Sequence, residues 1–349
     1  MKAAVWYGNK DIRVEDRQIK APGPNEVQIK VVKAGICGTD LHEWWAGPIF
    51  MPVDTPHPLT GKTTPLTAGH ECSGIIVAVG LQVKDFKVGD RVTSDSATWC
   101  GECANCKKGW YSLCEKCAFL GLSRDGVFAE FVNVPVPSVA KLPDNVSFEW
   151  GAMAEPFACA LHVIYKSRVM IGETIVVIGT GPIGLMCAHL AKVAGAKVYV
   201  VARTDIKKAM VKNLDAIALD PATDDIPAII KSQTNGQGAD VSLEVVGTEE
   251  AIDLALKVVK TRGRVVLVGF PEEKPVIDWN TILYNELEVL GILNNDGEIP
   301  QILELMSNGI INPEPFITGR IGLSDILEKG YKELKVNKGH IKIMVDPTL

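Results

Sequence analysis

The spacing of apolar positions changes near residue 150. Before it, apolar residues come in short runs cut by Gly and Pro. Ala3–Tyr7, Val27–Val32, Gly74–Val79, Asp90–Val92 and Phe128–Val132 are strand candidates. No long helical period intervenes, which predicts an all-β unit, a partly open barrel. From about residue 153 strands and helices alternate. Ile175–Ile178, Lys197–Ala202, Val241–Val246, Arg264–Val268 and Leu287–Ile292 read as strands. Between them lie helical periods near Pro182–Ala194, Asp205–Asn213, Asp225–Gln233 and Glu249–Lys260, the last with Thr248 as N-cap. That alternation predicts a doubly wound parallel sheet. A helix near Pro300–Ser307 and a strand His340–Val345 return to the first unit. The chain therefore reads as a two-domain α/β protein, with 1–152 plus 295–349 forming one domain and 153–294 the other.

One junction in the second domain carries chemistry. The apolar run Ile175–Ile178 is followed at once by Gly179-Thr180-Gly181-Pro182-Ile183-Gly184, then by a helical period and a second strand. This is the dinucleotide fingerprint in its required context. Gly179 permits the tight turn, Gly181 lets the backbone approach a pyrophosphate, and Gly184 lets the helix lie close on the strand. The helix N-terminus presents free N–H groups and a positive dipole end to the phosphates. The bland reading is a buried crossover with no ligand. A membrane span is excluded by His189, Lys192 and Lys197 in and after the helix.

Composition narrows the setting. With 47% hydrophobic and 22% charged residues, 349 residues can build large cores. A net charge of −6 and no basic run argue against nucleic-acid binding. Met1–Tyr7 lacks the features of a secretory signal, so a cytoplasmic location is expected. In that compartment nine cysteines read as metal ligands and core residues rather than disulfides. Cys100, Cys103, Cys106 and Cys114 form C-x2-C-x2-C-x7-C, a spacing that closes a tetrahedron about Zn²⁺ with no position left for substrate. The competing reading, an iron–sulfur site, lacks a Cys-Pro context. Cys117 lies outside the pattern, and Cys72, Cys159 and Cys187 read as core residues.

Three further polar clusters are far apart: Cys37-Gly-Thr39-Asp40-Leu-His42, Gly69-His70-Glu71 and Ala154-Glu155-Pro156. One thiolate, one imidazole and one carboxylate would make a zinc site with an open position. Taken singly, Cys37 reads equally as buried filler, His70 as a hydrogen-bonded core histidine and Glu155 as a helix-start carboxylate.

Together with the four-cysteine lobe and the glycine turn, these clusters resemble the zinc-containing medium-chain alcohol and polyol dehydrogenases, in order and over almost the whole chain. Within that family the stretch His42-Glu-Trp44-Trp45-Ala-Gly47-Pro48-Ile49-Phe50-Met-Pro52 is most similar to the 2,3-butanediol dehydrogenases. The resemblance implies a GroES-like β-rich catalytic domain and a Rossmann domain with the active site in the cleft. It implies that Cys37, His70 and Glu155 hold the catalytic zinc. Glu71 would be a nearby carboxylate that ligates transiently, and Asp40 would orient His70. It implies two zinc ions per chain, a small alcohol or ketone as substrate, no nucleic-acid or membrane partner, and a homo-oligomer. Val246, Gly269 and Leu293, at predicted strand ends, join the glycine turn as cofactor contacts. The implied reaction is hydride transfer between a secondary alcohol and a nicotinamide. Thr39, a ribose hydroxyl and His42 would relay the proton to solvent.

An NAD enzyme of this architecture places an acid near the end of the second strand. Here Ala202-Arg203-Thr204 stands there, with Lys207 and Lys208 following. Ala202 leaves space for a 2′-phosphate and Arg203 can pair with it through its planar fork, which favours NADP(H). The alternative makes Arg203 a loop charge and gives the ribose to Asp205. The insertion Trp44–Thr64, rich in apolar residues and Pro, either walls the cleft or packs as a hairpin on its own domain. Acetoin/2,3-butanediol is the expected substrate pair. A polyol or polyol phosphate is the alternative, and a non-catalytic NADPH-binding protein is the rival of another class.

Overall fold

The computed structural model describes all 349 residues. They form two compact units, Met1–Ala158 with Asp296–Leu349, and Cys159–Asn295. No helix is long and apolar enough to cross a membrane.

The first unit contains β1 (Lys2–Gly8), β2 (Glu26–Gly35), α1 (Gly38–Ala46), β3 (Glu71–Val79) and β4 (Arg91–Ser94). The helix α2 (Ala154–Ser167) follows. Alternation fixes the faces of β2: Val27, Ile29 and Val31 are fully buried while Lys30 between them is exposed. Each such buried side chain contributes about 1.5–3 kcal/mol relative to exposure. The expected strand Phe128–Val132 forms three residues later, at Phe131–Pro135, and pairs with β2.

The second unit is a six-stranded parallel sheet. Its elements are β5 (Thr174–Ile178), α3 (Pro182–Val193), β6 (Lys197–Val201), α4 (Asp205–Asn213), β7 (Ile217–Leu219), β8 (Ala239–Glu244), α5 (Glu249–Val258), β9 (Val259–Leu267) and β10 (Glu288–Gly291). The strand order is β7-β6-β5-β8-β9-β10, so the winding reverses between β5 and β8. All five residues of β5 are buried, as a strand covered on both faces requires. The Thr248 side chain caps α5 by accepting the Ala251 N–H.

The chain then adds β11 (Ile317–Gly322) and β12 (Lys342–Asp346) to the first unit. β12 pairs antiparallel with β2 and parallel with β11. The resulting seven-stranded sheet runs Val139–Lys141, β4, β3, β2, β12, β11, with Phe131–Pro135 also on β2. β1 belongs to a separate three-stranded sheet.

Candidate functional site

Cys37, His70 and Glu71 converge, their ligand atoms all lying within 4.8 Å of one another. Local structure explains the convergence. Cys37 is the N-cap of α1, where the chain leaves β2, and its N–H donates to Asp40 Oδ2 at 2.9 Å. His70 and Glu71 open β3, and Glu71 is the register partner of Gly35. Gly35 carries no Cβ because the Glu71 carboxylate occupies that space. Asp40, 3% exposed, serves both ligands: while Oδ2 caps Cys37, Oδ1 lies 3.5 Å from His70 Nδ1. Those two atoms are buried and otherwise unpartnered. Burial opposes charge on His70, but Asp40 and the Cys37 sulfur hold the imidazole well above its ordinary value.

The carboxylate within 4.8 Å of both other ligand atoms is that of Glu71, and Glu155, the expected third ligand, stands beside the trio close enough to act on His70 and Glu71. Glu155 stands in the first turn of α2, 4% exposed and hydrogen-bonded to Ser96. Burial pushes its carboxyl up; His70 acts against this and Glu71 adds to it. Glu71 is pressed into place from the other side. Lys342, 1% exposed on β12, donates to Glu71 Oε1 at 2.6 Å, to Oε2 at 2.8 Å and to the Ile36 carbonyl at 3.0 Å. The sequence signal for Lys342 was a lone charge inside the buried run Ile341–Val345. Thr39 Oγ1 lies 3.7 Å from Cys37 Sγ, and His42 is exposed one turn along α1.

The second cluster is local. The sulfurs of Cys100, Cys103, Cys106 and Cys114 also lie within 4.8 Å of one another. Backbone N–H groups point at them: Cys106 N–H lies 3.5 Å from Cys103 Sγ, and Cys100 N–H 3.4 Å from Cys114 Sγ. The N–H groups of Cys106 and Glu115 bring the Cys103 thiol down to about 6. Four thiols held this way, with donors supporting the thiolate, fit zinc. The thiol, imidazole and carboxylate of the first cluster fit it as well. Cys117 stays outside the lobe, burial pushing its thiol up to about 12. Cys72 and Cys187 are fully buried, whereas Cys159 is half-buried and donates to Asn294 Oδ1 at 3.2 Å.

In the second unit Gly179 has φ +119°, and Gly181 is the N-cap of α3 with Pro182 starting the helix. Nothing occupies the space a Gly181 Cβ would take, while a Cβ on Gly184 would strike the Gly179 carbonyl. This cradle fits a pyrophosphate. Ile183 is half-buried in the first turn of α3. Val246, Gly269 and Leu293 follow the carboxyl ends of β8, β9 and β10, with Val246 43% and Leu293 49% exposed. At the end of β6, Arg203 and Thr204 are exposed, and Thr204 caps α4 by accepting the Lys207 N–H. Beside them Ala202 is fully buried, and Lys208 pairs with Asp220 at 2.6 Å and with Asp205 at 3.5 Å.

The insertion Trp44–Thr64 is anchored on its own unit. Glu43, 1% exposed, accepts the N–H groups of Phe50 and Met51 at 2.6 Å and of Ile49 at 2.7 Å. Met51 is buried with Trp6, Leu66 and Leu122, and Thr60 Oγ1 donates to the Ser123 carbonyl at 2.7 Å. Trp45, Ile49, Phe50 and Val53 stay exposed. Glu43→Ala strands these N–H groups and is expected to lower stability by about 2–4 kcal/mol in urea unfolding. Glu43→Gln keeps an acceptor and should lose less than half of that.

Residues 23–144 match the alcohol dehydrogenase GroES-like domain and residues 182–308 the zinc-binding dehydrogenase family. The chain belongs to the zinc-binding alcohol dehydrogenases, NAD(P)-dependent oxidoreductases that act on CH–OH donors. It is 40% identical to (R,R)-butanediol dehydrogenase of Bacillus subtilis, over 99% of this chain and 100% of that one. It is 32% identical to sorbitol dehydrogenase of the same organism, over 99% and 97%. Among solved structures, 2R,3R-butanediol dehydrogenase from Bacillus subtilis superposes with a TM-score of 0.94 at 39% identity, covering 99% of each chain. A zinc-binding dehydrogenase of Sinorhizobium meliloti 1021 bound to NADP does so at 0.90 and 32% identity, again over 99% of each.

Proposed function

We propose that this enzyme transfers hydride reversibly between NADP(H) and a small secondary alcohol or ketone, with 2,3-butanediol and acetoin as its pair. The observation that carries the reading is the meeting of Cys37, His70 and Glu71 beside Asp40, Glu155 and Lys342. Cys37 Sγ, His70 and Glu71 would hold the catalytic zinc, and the four-cysteine lobe a second, structural one. A zinc ion there supplies Lewis acidity that makes an alcohol proton removable near neutral pH.

The residues of the chain do the rest. Asp40 fixes the His70 ring through Nδ1, leaving Nε2 as the ligand nitrogen. Lys342 holds the Glu71 carboxylate and balances its charge in a buried setting. The Thr39 hydroxyl would accept the substrate proton as it hands its own to a ribose hydroxyl of the coenzyme, and His42, exposed on the same helix, would take the proton on to solvent. Ile49 and Phe50, on the loop held by Glu43, give the substrate an apolar wall suited to the methyl groups of butanediol. The nicotinamide coenzyme supplies the hydride acceptor. The exposed Arg203 and Thr204 favour a coenzyme with a 2′-phosphate.

Sequence kinship with sorbitol dehydrogenase supports polyols as the second substrate class. A panel of acetoin, the 2,3-butanediol isomers, sorbitol and arabitol phosphate, run with NADPH and NADH, tests both. Acetoin reduction with NADPH at the highest kcat/KM is expected, and a higher value for a polyol overturns the substrate assignment. Metal analysis should return about two zinc ions per chain. Nine free thiols fit a cytoplasmic enzyme. The exposed edge strand β10 and the exposed Trp279, Leu283 and Tyr284 fit a homo-oligomer, which light scattering would weigh directly.

A further inference from the structure

Sheets of this winding bind ligands outside the carboxyl ends of their strands, where the order reverses. In the second unit that point lies between β5 and β8. Glu244 stands there. It is the last residue of β8, register partner of Ile178 on one side and Leu267 on the other, and it is fully buried.

Between its side chain and its main chain it binds backbone from both neighbouring loops. Oε1 accepts the N–H of Val246 at 2.6 Å and of Gly247 at 2.8 Å, while the main-chain carbonyl accepts the Gly269 N–H at 3.1 Å. Those loops follow β8 and β9. They touch backbone to backbone: a Cβ on Gly269 would strike the Gly247 nitrogen, and one on Gly247 would lie 2.6 Å from the Phe270 carbonyl oxygen. The same loop roofs the glycine turn, since a Cβ on Gly179 would lie 2.8 Å from the side chains of Val245 and Val246.

A buried carboxylate is a costly way to hold a turn. Oε2 is buried without a hydrogen-bond partner, so the group is not fully compensated. An apolar residue would suit this strand better if only the sheet had to be stable. What the carboxylate adds is a fixed placement of two N–H groups in the loop after β8, the loop that roofs the glycine turn.

We propose that Glu244 is a positioning residue for the dinucleotide: its carboxylate holds the loop after β8 in the geometry that the coenzyme requires beside the glycine turn. This rests on the reading of the second unit as the coenzyme site. Preorganisation of this kind lowers the ordering cost of binding and acts on affinity rather than on the chemical step.

The test is NADPH binding by fluorescence titration in the wild type, Glu244→Ala and Glu244→Gln, with melting temperatures alongside. Glu244→Ala is expected to weaken NADPH at least tenfold while kcat at saturating coenzyme stays within threefold. Glu244→Gln keeps an acceptor oxygen for Val246 and Gly247 and should restore Kd to within threefold of wild type. A folded Glu244→Ala protein with wild-type Kd overturns the positioning role and leaves the coenzyme reading intact. A wild-type enzyme that binds neither NADPH nor NADH overturns both. Where the alanine variant does not fold, hydrogen exchange on the wild type decides. The amides of Val246 and Gly247 should be protected before coenzyme is added, and rapid exchange there refutes the proposal.

Discussion

Replacing Cys37 by Ser or His70 by Ala should cut kcat by about 10³-fold or more, since on the proposed mechanism each would remove a ligand of a Lewis acid that contributes several kcal/mol to the reaction. Metal content should fall from about two ions per chain to about one, because the four-cysteine lobe shares no residue with the trio. The melting temperature should change little if that lobe keeps its ion. The two carboxylates then separate by their consequences. Glu71→Gln removes a trio member and leaves Lys342 buried opposite an uncharged amide, so it should cost both metal and stability. Glu155→Gln should keep the metal and lose turnover alone. If Glu155→Gln empties the site and Glu71→Gln does not, the carboxylate ligand is Glu155. Asp40→Asn tests the layer behind: one amide oxygen is left for both the Cys37 N–H and His70 Nδ1, which should weaken metal retention about 10–100-fold, measured by competition with a chelator.

Which of Glu71 and Glu155 completes the trio is where one-dimensional reading stops. The glycine turn and the cysteine lobe are legible because their atoms come from consecutive residues, so spacing alone carries the geometry. The strands of the parallel sheet are legible because burial on both faces leaves continuous apolar runs such as Ile175–Ile178. α2 is not, because nearly every side chain from Ala154 to Val163 is buried and a helix apolar all round shows no amphipathic period. Nor is α1, which opens on Gly38 and carries the site residues Thr39, Asp40 and His42 along its nine residues. β7 has only three residues. The acid and base that shape the sites are harder still. Glu43 and Glu244 are ordinary charged residues in sequence, and only the fold turns the nearby backbone onto their carboxylates, whereas Lys342 needs a partner from far along the chain. Lys342 and Glu71 are separated by 271 residues.

Arg203→Ala should lower kcat/KM with NADPH by about 10–100-fold and leave the value with NADH within threefold. A charge-assisted fork to a phosphate is worth about 1.5–3 kcal/mol, and 1.4 kcal/mol is a factor of ten. The loss should fall on KM for the coenzyme, since the adenosine end is remote from the reacting carbon and its contacts are made equally in ground and transition states. Lys208→Ala is the informative contrast. The sequence places Lys208 among the bases at the end of the second strand, but its ammonium is already held by Asp220 at 2.6 Å, so its removal should change the coenzyme preference less than threefold. A large effect at Lys208 with none at Arg203 would mean that binding breaks the Asp220 pair and turns the lysine outward. Wild-type preference for NADH would instead remove the 2′-phosphate from the argument. The loop at Arg203 would then hold the ribose through Thr204 or Asp205, both exposed there.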